Sequence, residues 1–331
     1  MENEGGVKEM NKFVYLCSCA VIIGFMTGCA QQTKVEEPQM TKQEAPKAAE
    51  ERIAFDFPKD YKNWAHGTSK IILDKGSPLY GFQQVFVNDV ALDSYKKGGG
   101  YPDGSIIVIG FYEAIEEGSE IKQGNILWYA AMKKDARATK TSGWIFDGFD
   151  GKTYQSTVKE PITGCYNCHV AKKDRDYVFT SFAGNISAPE GTTLAVKPNS
   201  FAFPADVRSW RHSNSKVILD KKSPLYGFQQ IYVNETGFEA NKSGKSYPDG
   251  SMITVGFYEP IVDEKVVSQG DIIWYASMKK DSKAAPGTGG WLMDGFNAKT
   301  LSSVVDDPVS GCFNCHVARK SDDYVFSIYV P

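Results

Sequence analysis

Four of the seven cysteines and two of the four histidines fall in two short runs, Cys165-Tyr-Asn-Cys168-His169 and Cys312-Phe-Asn-Cys315-His316. Two thiols three residues apart lie on one side of a helical turn. There they can add to the two vinyl groups of a haem, and the adjacent His then turns its imidazole towards the iron. A Cys-x-x-Cys pair could instead form a disulfide in an oxidising compartment, or half of a zinc site that wants four ligands. Each run stands with its own His, and each half of the chain offers only one Cys pair and two His. The expectation is therefore two covalently bound c-type haems. Cys165, Cys168, Cys312 and Cys315 attach them, and His169 and His316 are the proximal iron ligands.

The opposite axial position has three candidate occupants. His66 and His212 stand in Trp64-Ala-His66 and Trp210-Arg-His212, and Met132 and Met278 are the matched methionines. A His would give a bis-His haem suited to electron transfer, and a Met would raise the potential. The third reading is an open or water-bound apolar site, with the two His packed beside Trp and the two Met filling core.

The elements that must position these residues are written twice. Ser69–Asn88 and Ser215–Asn234 agree at sixteen of twenty positions at an offset of 146. The match runs on through Tyr101-Pro-Asp-Gly-Ser and Tyr247-Pro-Asp-Gly-Ser, and reaches Trp144 and Trp291 at an offset of 147. The period is too long for a solenoid repeat and indicates duplication of a whole domain. The expected organisation is a signal over 1–28, a tether over 29–52, haem domains over 53–183 and 200–331, and a linker over 184–199. Ile71-Ile-Leu, Gln84-Val-Phe-Val, Ser105-Ile-Ile-Val-Ile and Asn125-Ile-Leu-Trp-Tyr-Ala are short β-branched or aromatic runs bounded by turn residues, so they read as strands. Short helices are expected over Asp89–Lys97, with Asp93 and Ser94 as start signals, and around Cys165. The fold class is α+β leaning to β, each domain a mainly antiparallel sheet.

Residues 13–28 form a short apolar run behind Lys12, and Met-Thr-Gly-Cys29 resembles a bacterial lipobox. That predicts export and lipidation of Cys29, and so a membrane tether without a span. An ordinary signal peptide or an uncleaved anchor is the other reading. The expected location is the bacterial cell envelope, on the periplasmic side of the outer membrane. The 331 residues are 42% hydrophobic, 13% aromatic and 23% charged, which excludes wholesale disorder and fibrous structure. Net charge is −3, and −2 once residues 1–28 and their three acids and two bases are removed. No basic stripe for nucleic acid is present.

Both halves, roughly 55–183 and 200–330, resemble the cytochrome P-460 family, which includes cytochrome c-prime-beta. The resemblance rests on Trp64-x-His66 with Ser69-Lys70, Tyr101-Pro-Asp-Gly-Ser, Gly143-Trp-Ile-Phe-Asp-Gly-Phe149, Cys165-Tyr-Asn-Cys-His169 and Asp176-Tyr-Val-Phe179. The second half matches with Trp210-x-His212, Tyr247-Pro-Asp-Gly-Ser, Gly290-Trp-Leu-Met-Asp-Gly-Phe296, Cys312-Phe-Asn-Cys-His316 and Asp323-Tyr-Val-Phe326. It implies a mainly antiparallel sheet, a five-coordinate iron and dimerisation. Hydroxylamine-oxidising members cross-link a Lys to the haem a few residues after the Asp-Gly turn. Here Ile109 and Val255 align there, and no Lys lies in 105–115 or 251–261. The resemblance then points to cytochrome c-prime-beta, whose members bind NO or CO. Apolar residues over the iron disfavour water and anions. Phe82, Phe111, Phe228 and Phe257 are candidate walls, or simply core.

Arg175 has Asp322 as its counterpart. It could hold a propionate or a distal ligand, or be a solvated charge at a turn. Two functions follow: a dihaem electron-transfer lipoprotein with a redox partner protein, or a protein that binds a small gas or does redox chemistry at open haems. An enzymatic role is the lesser expectation.

Overall fold

The computed structural model describes residues 53–183 and 200–331, so the expected signal, the expected tether with Cys29 and the expected linker lie outside the described residues. The first repeat runs β1 (Ala65–Ile72), β2 (Gly81–Val87), α1 (Asp89–Lys97), β3 (Ile106–Glu117), β4 (Glu120–Lys134), β5 (Trp144–Asp150) and a short α2 (Asn167–His169). The second repeats it as β6 (Arg211–Ile218), β7 (Gly227–Val233), α3 (Glu235–Ser243), β8 (Met252–Asp263), β9 (Val266–Lys280), β10 (Trp291–Asn297) and α4 (Asn314–His316). Every strand pairing is antiparallel.

The strands form where β-branched and aromatic side chains recur, because those pack well on a pleated surface. Helix α1 occupies the expected residues but starts on Asn88 rather than Asp93 or Ser94. The Asn88 carboxamide oxygen accepts from Ala91 N–H at 3.1 Å and from Ile106 N–H at 2.9 Å, so one side chain caps the helix and fixes the start of β3. Gly98, at φ 87°, ends the helix in the left-handed region. Asn234 repeats the device on Gly237 and Met252.

The two repeats share one sheet. Strand β4 pairs with β6 (Glu120↔Ile218, Ile121↔Val217, Lys122↔Lys216), and β1 pairs with β9 (Lys70↔Ser268, Ile71↔Val267, Ile72↔Val266). These two pairings close β1-β2-β3-β4-β6-β7-β8-β9 into a ring, with β5 and β10 hung on β4 and β9. The seam has its own core: Ile71, Phe82, Tyr112 and Ile121 from one repeat meet Val217, Phe228, Tyr258 and Val267 from the other. Phe82 and Phe228 touch edge to face at 5.6 Å. They are therefore seam core, the second of the two readings given for them, and not haem walls.

Candidate haem sites

Strand alternation sorts each repeat into two faces. In the first, Val85 and Val87 on β2, Ile107 on β3, Met132 on β4, and Trp144 and Phe146 on β5 gather in one cluster. Tyr177 and Val178 complete it, and Ile109, Cys165 and Tyr166 pack against it. The second repeat gathers Ile231, Val233, Ile253, Met278, Trp291 and Met293, with Val255, Cys312, Phe313 and Tyr324 against them. Ile109 and Cys165 thus pack against one cluster, and Val255 and Cys312 against its counterpart. Met132 and Met278 are buried on the same faces.

The attachment motif follows the edge strand of each repeat. Ile162–Tyr166 winds as a wide helical turn that runs directly into α2, and Val309–Phe313 does the same into α4. Cys165 and Cys312 are half-buried against the cluster, while Cys168 and Cys315 are exposed. Three apolar side chains around each motif stay exposed at matched positions: Ile162, Val170 and Phe179 in the first, Val309, Val317 and Phe326 in the second.

Each motif His is already oriented. His169 Nδ1 lies 2.6 Å from the Tyr177 carbonyl oxygen, and His316 Nδ1 lies 2.7 Å from that of Tyr324. A carbonyl only accepts, so Nδ1 carries the proton and Nε2 presents its lone pair, the arrangement a metal-bound imidazole requires. Burial pushes both imidazoles below the usual range, which keeps them neutral. Phe146 and Phe179 flank the His169 ring at 4.8 and 5.0 Å. Phe326 flanks that of His316 at 5.0 Å.

The accepting carbonyl is placed by a left-handed pair. Asp176 and Tyr177 have φ of 50° and 68°, and Asp323 and Tyr324 have 52° and 66°. Non-glycine residues hold this conformation at a cost, so something must fix it. The Asp side chain does. Asp176 accepts from Tyr101 N–H at 3.1 Å, Lys134 Nζ at 2.8 Å and Trp144 Nε1 at 3.2 Å. Asp323 accepts from Tyr247 N–H at 2.7 Å and Lys280 Nζ at 2.6 Å. The Tyr-Pro-Asp-Gly turn and the Asp-Tyr-Val-Phe segment recur together because each Asp is hydrogen-bonded to the first residue of that turn. Side-chain identity gave no hint that the Tyr carbonyl was the operative group.

Other candidates sit differently. Phe111 and Phe257 are on the same β3 and β8 faces as Ile109 and Val255, but stack on Trp128 and Trp274 at 4.0 and 4.3 Å. Arg175 donates to the Thr180 carbonyl at 3.0 Å and lies against Gly98 and Gly99, while Asp322 pairs with Arg319 at 2.8 Å.

His66 and His212 are corrected as axial candidates. His66 lies opposite Phe86, on the face of β2 away from Val85 and Val87. Its ring stacks on that of His212 across the seam, centroids 4.0 Å apart and planes 13° apart. His66 Nδ1 meets the Tyr232 hydroxyl at 3.0 Å, and Nε2 meets Ser69 Oγ and Gln84 Oε1 at 2.9 and 3.0 Å. His212 Nε2 meets Ser215 Oγ and Gln230 Oε1 at 3.0 and 2.9 Å.

These residues fit a c-type haem on three counts. The motif Cys pair sits on a helical turn, the His presents Nε2, and an apolar strand face with matched exposed apolar residues stands beside it. Cys165 and Cys168, with Cys312 and Cys315, would hold the group, and His169 and His316 would bind its iron. None of the curated proteins compared matches the chain. The sequence model of Cytochrome P460 matches residues 58–180 and again 204–327. The chain belongs to the cytochrome P460 family, with two copies of its domain in tandem.

Proposed function

We propose that the chain is a dihaem c-type cytochrome of the cell envelope, lipid-anchored at Cys29, with two open apolar haem sites that bind NO or CO and exchange electrons. The observation that carries the reading is the strand face beside each motif. It offers Ile109 and Val255, and the two spare histidines are buried on the opposite face in the seam. Bound haem iron supplies one-electron exchange and a coordination position for a diatomic gas. The chain's own part is to hold Nδ1–H of each proximal His on a carbonyl, and to line the haem face with groups that give water or an anion no hydrogen bond. A neutral diatomic loses little there. Hydroxylamine-type chemistry is the weaker reading, because neither Ile109 nor Val255 can form the Lys cross-link of the oxidising members. Pure electron transfer through bis-His haems is weaker too, since His66 and His212 are committed to each other.

Absorption spectra of the reduced protein, with and without CO, test this reading. High-spin five-coordinate bands that shift on CO addition are expected. Low-spin six-coordinate bands indifferent to CO would contradict it. For the anchor, Cys29→Ala is expected to move the protein from the membrane to the soluble fraction, and an unchanged membrane fraction would contradict lipidation.

A further inference from the structure

The two motif regions differ at one small cluster. In the first repeat Ser142 Oγ lies 2.8 Å from the Tyr166 hydroxyl and 2.8 Å from the Tyr177 hydroxyl. Tyr166 stands between Cys165 and Cys168, and Tyr177 supplies the carbonyl that holds His169. One hydroxyl therefore ties the segment that carries the thiols to the turn that orients the iron ligand. At the matched positions the second repeat has Gly289, Phe313 and Tyr324. Only one of these three residues carries a hydroxyl. Phe313 and Tyr324 merely pack, ring centroids 5.2 Å apart.

The Tyr324 ring also takes up the vacated space. A Cβ on Gly289 would stand 2.1 Å from Tyr324 Cε2, closer than any side chain can approach. The two Tyr side chains are thus seated differently although their carbonyls do the same work. Position 146 adds to the contrast: Phe146 packs on the His169 imidazole at 4.8 Å, and Met293 is its counterpart in the second cluster.

We infer that the two haem sites are inequivalent, and that Ser142 and Tyr166 are positioning residues which stiffen the hold on His169 and have no counterpart at His316. The inference rests on the two-haem reading above. Partners that orient a metal-bound imidazole also set its basicity and so tune the metal. A firmly held carbonyl on Nδ1–H makes the imidazole more electron-rich and favours the oxidised iron. The first site therefore has the lower potential.

The test is a potentiometric titration of the full-length protein followed by absorption, after the haem content per chain is measured. Two resolved one-electron waves are expected. Ser142→Gly with Tyr166→Phe should move the lower wave up towards the other and leave the higher one in place. The reciprocal Gly289→Ser with Phe313→Tyr requires the Tyr324 ring to turn out of the Gly289 space; with the fold kept, as far-UV circular dichroism checks, it should move the higher wave down, which tests the inference independently of the first variant. Restoring Ser142 in the double variant should recover part of the lost separation. A single unsplit wave, or two waves that neither swap moves, would overturn the inference. A split due only to the Arg175/Asp322 charge difference would survive both swaps and counts against it. One haem per chain would instead overturn the two-haem reading itself.

Discussion

His66 is a case in which the strand face decides what a side chain can do. Gln84 Oε1 only accepts and Ser69 Oγ already donates to it, so His66 Nε2 carries the proton, and Nδ1 accepts from the Tyr232 hydroxyl, whose oxygen takes Arg208. His212 has Phe86 where His66 has Tyr232, and its Nδ1 has no hydrogen-bond partner among the described residues. Burial, and then the parallel His212 ring, push the His66 pKa well below its usual value, so the stack is neutral. His66→Ala should leave the haem spectrum unchanged. It should also lower stability by about 1–3 kcal/mol, because it leaves the buried Tyr232 hydroxyl proton without its acceptor; urea unfolding measures this. A changed spectrum would return His66 to the iron. Lys62 is also buried, 8% exposed, with the rings of Phe86 and Tyr112 at 5.0 and 4.9 Å and the Val330 carbonyl at 3.4 Å. Burial lowers its pKa from 10.5 to about 7. Its folded pKa lies below its unfolded one, so the unfolded chain binds the extra proton between those values. Stability should therefore rise as pH rises from about 7 towards 10, with the full penalty present below 7. Lys62→Met should flatten that rise and stabilise the protein at pH 7. An identical pH slope in urea midpoints would refute it.

At the scale of elements, what the sequence showed and what it concealed separate cleanly. The strands around Ile71, Val85, Ile107 and Trp128 were legible because β-branched and aromatic runs stood between turn residues; α1 was legible as a segment but not in its cap, since Asp93 and Ser94 looked like start signals and Asn88 does the capping. The motif His and Cys were legible from spacing alone. Which face each strand buries was not, because that depends on a partner strand far away in the chain. His66 and Ile109 look equally available in a linear reading. Only the pairing of His66 with Phe86, and of Ile109 with Val85, sends them to opposite sides. Trace signals were present: Ser69, Gln84 and their matches Ser215 and Gln230 are polar residues recurring among apolar ones, as a buried network requires. The cross-repeat ladders were illegible, since β4–β6 and β1–β9 are short pairings between edges with no local signature. Phe228, fully buried in that seam, makes them testable. Phe228→Ala should cost about 3–5 kcal/mol. Because both repeats share the core, far-UV and haem absorbance should report one unfolding transition shifted together. Two separated transitions would show that the repeats unfold independently.

For the whole molecule, the duplication makes one object with two outward-facing motifs and a common interior. The two repeats are joined through β4–β6, β1–β9 and the stacked imidazoles. A protease site inserted within 184–199 should therefore give, after cleavage, two fragments that still elute as one particle in size-exclusion chromatography. Separation without denaturant would contradict the shared sheet. Two attached haems, each with an open apolar face for a small neutral gas, are the core of the proposed function. Titration of the reduced protein with CO, alongside a haem determination on the same sample, tests it most directly. Two haems and two bound CO per chain are predicted, and a protein that carries its haems but binds no CO would contradict the account.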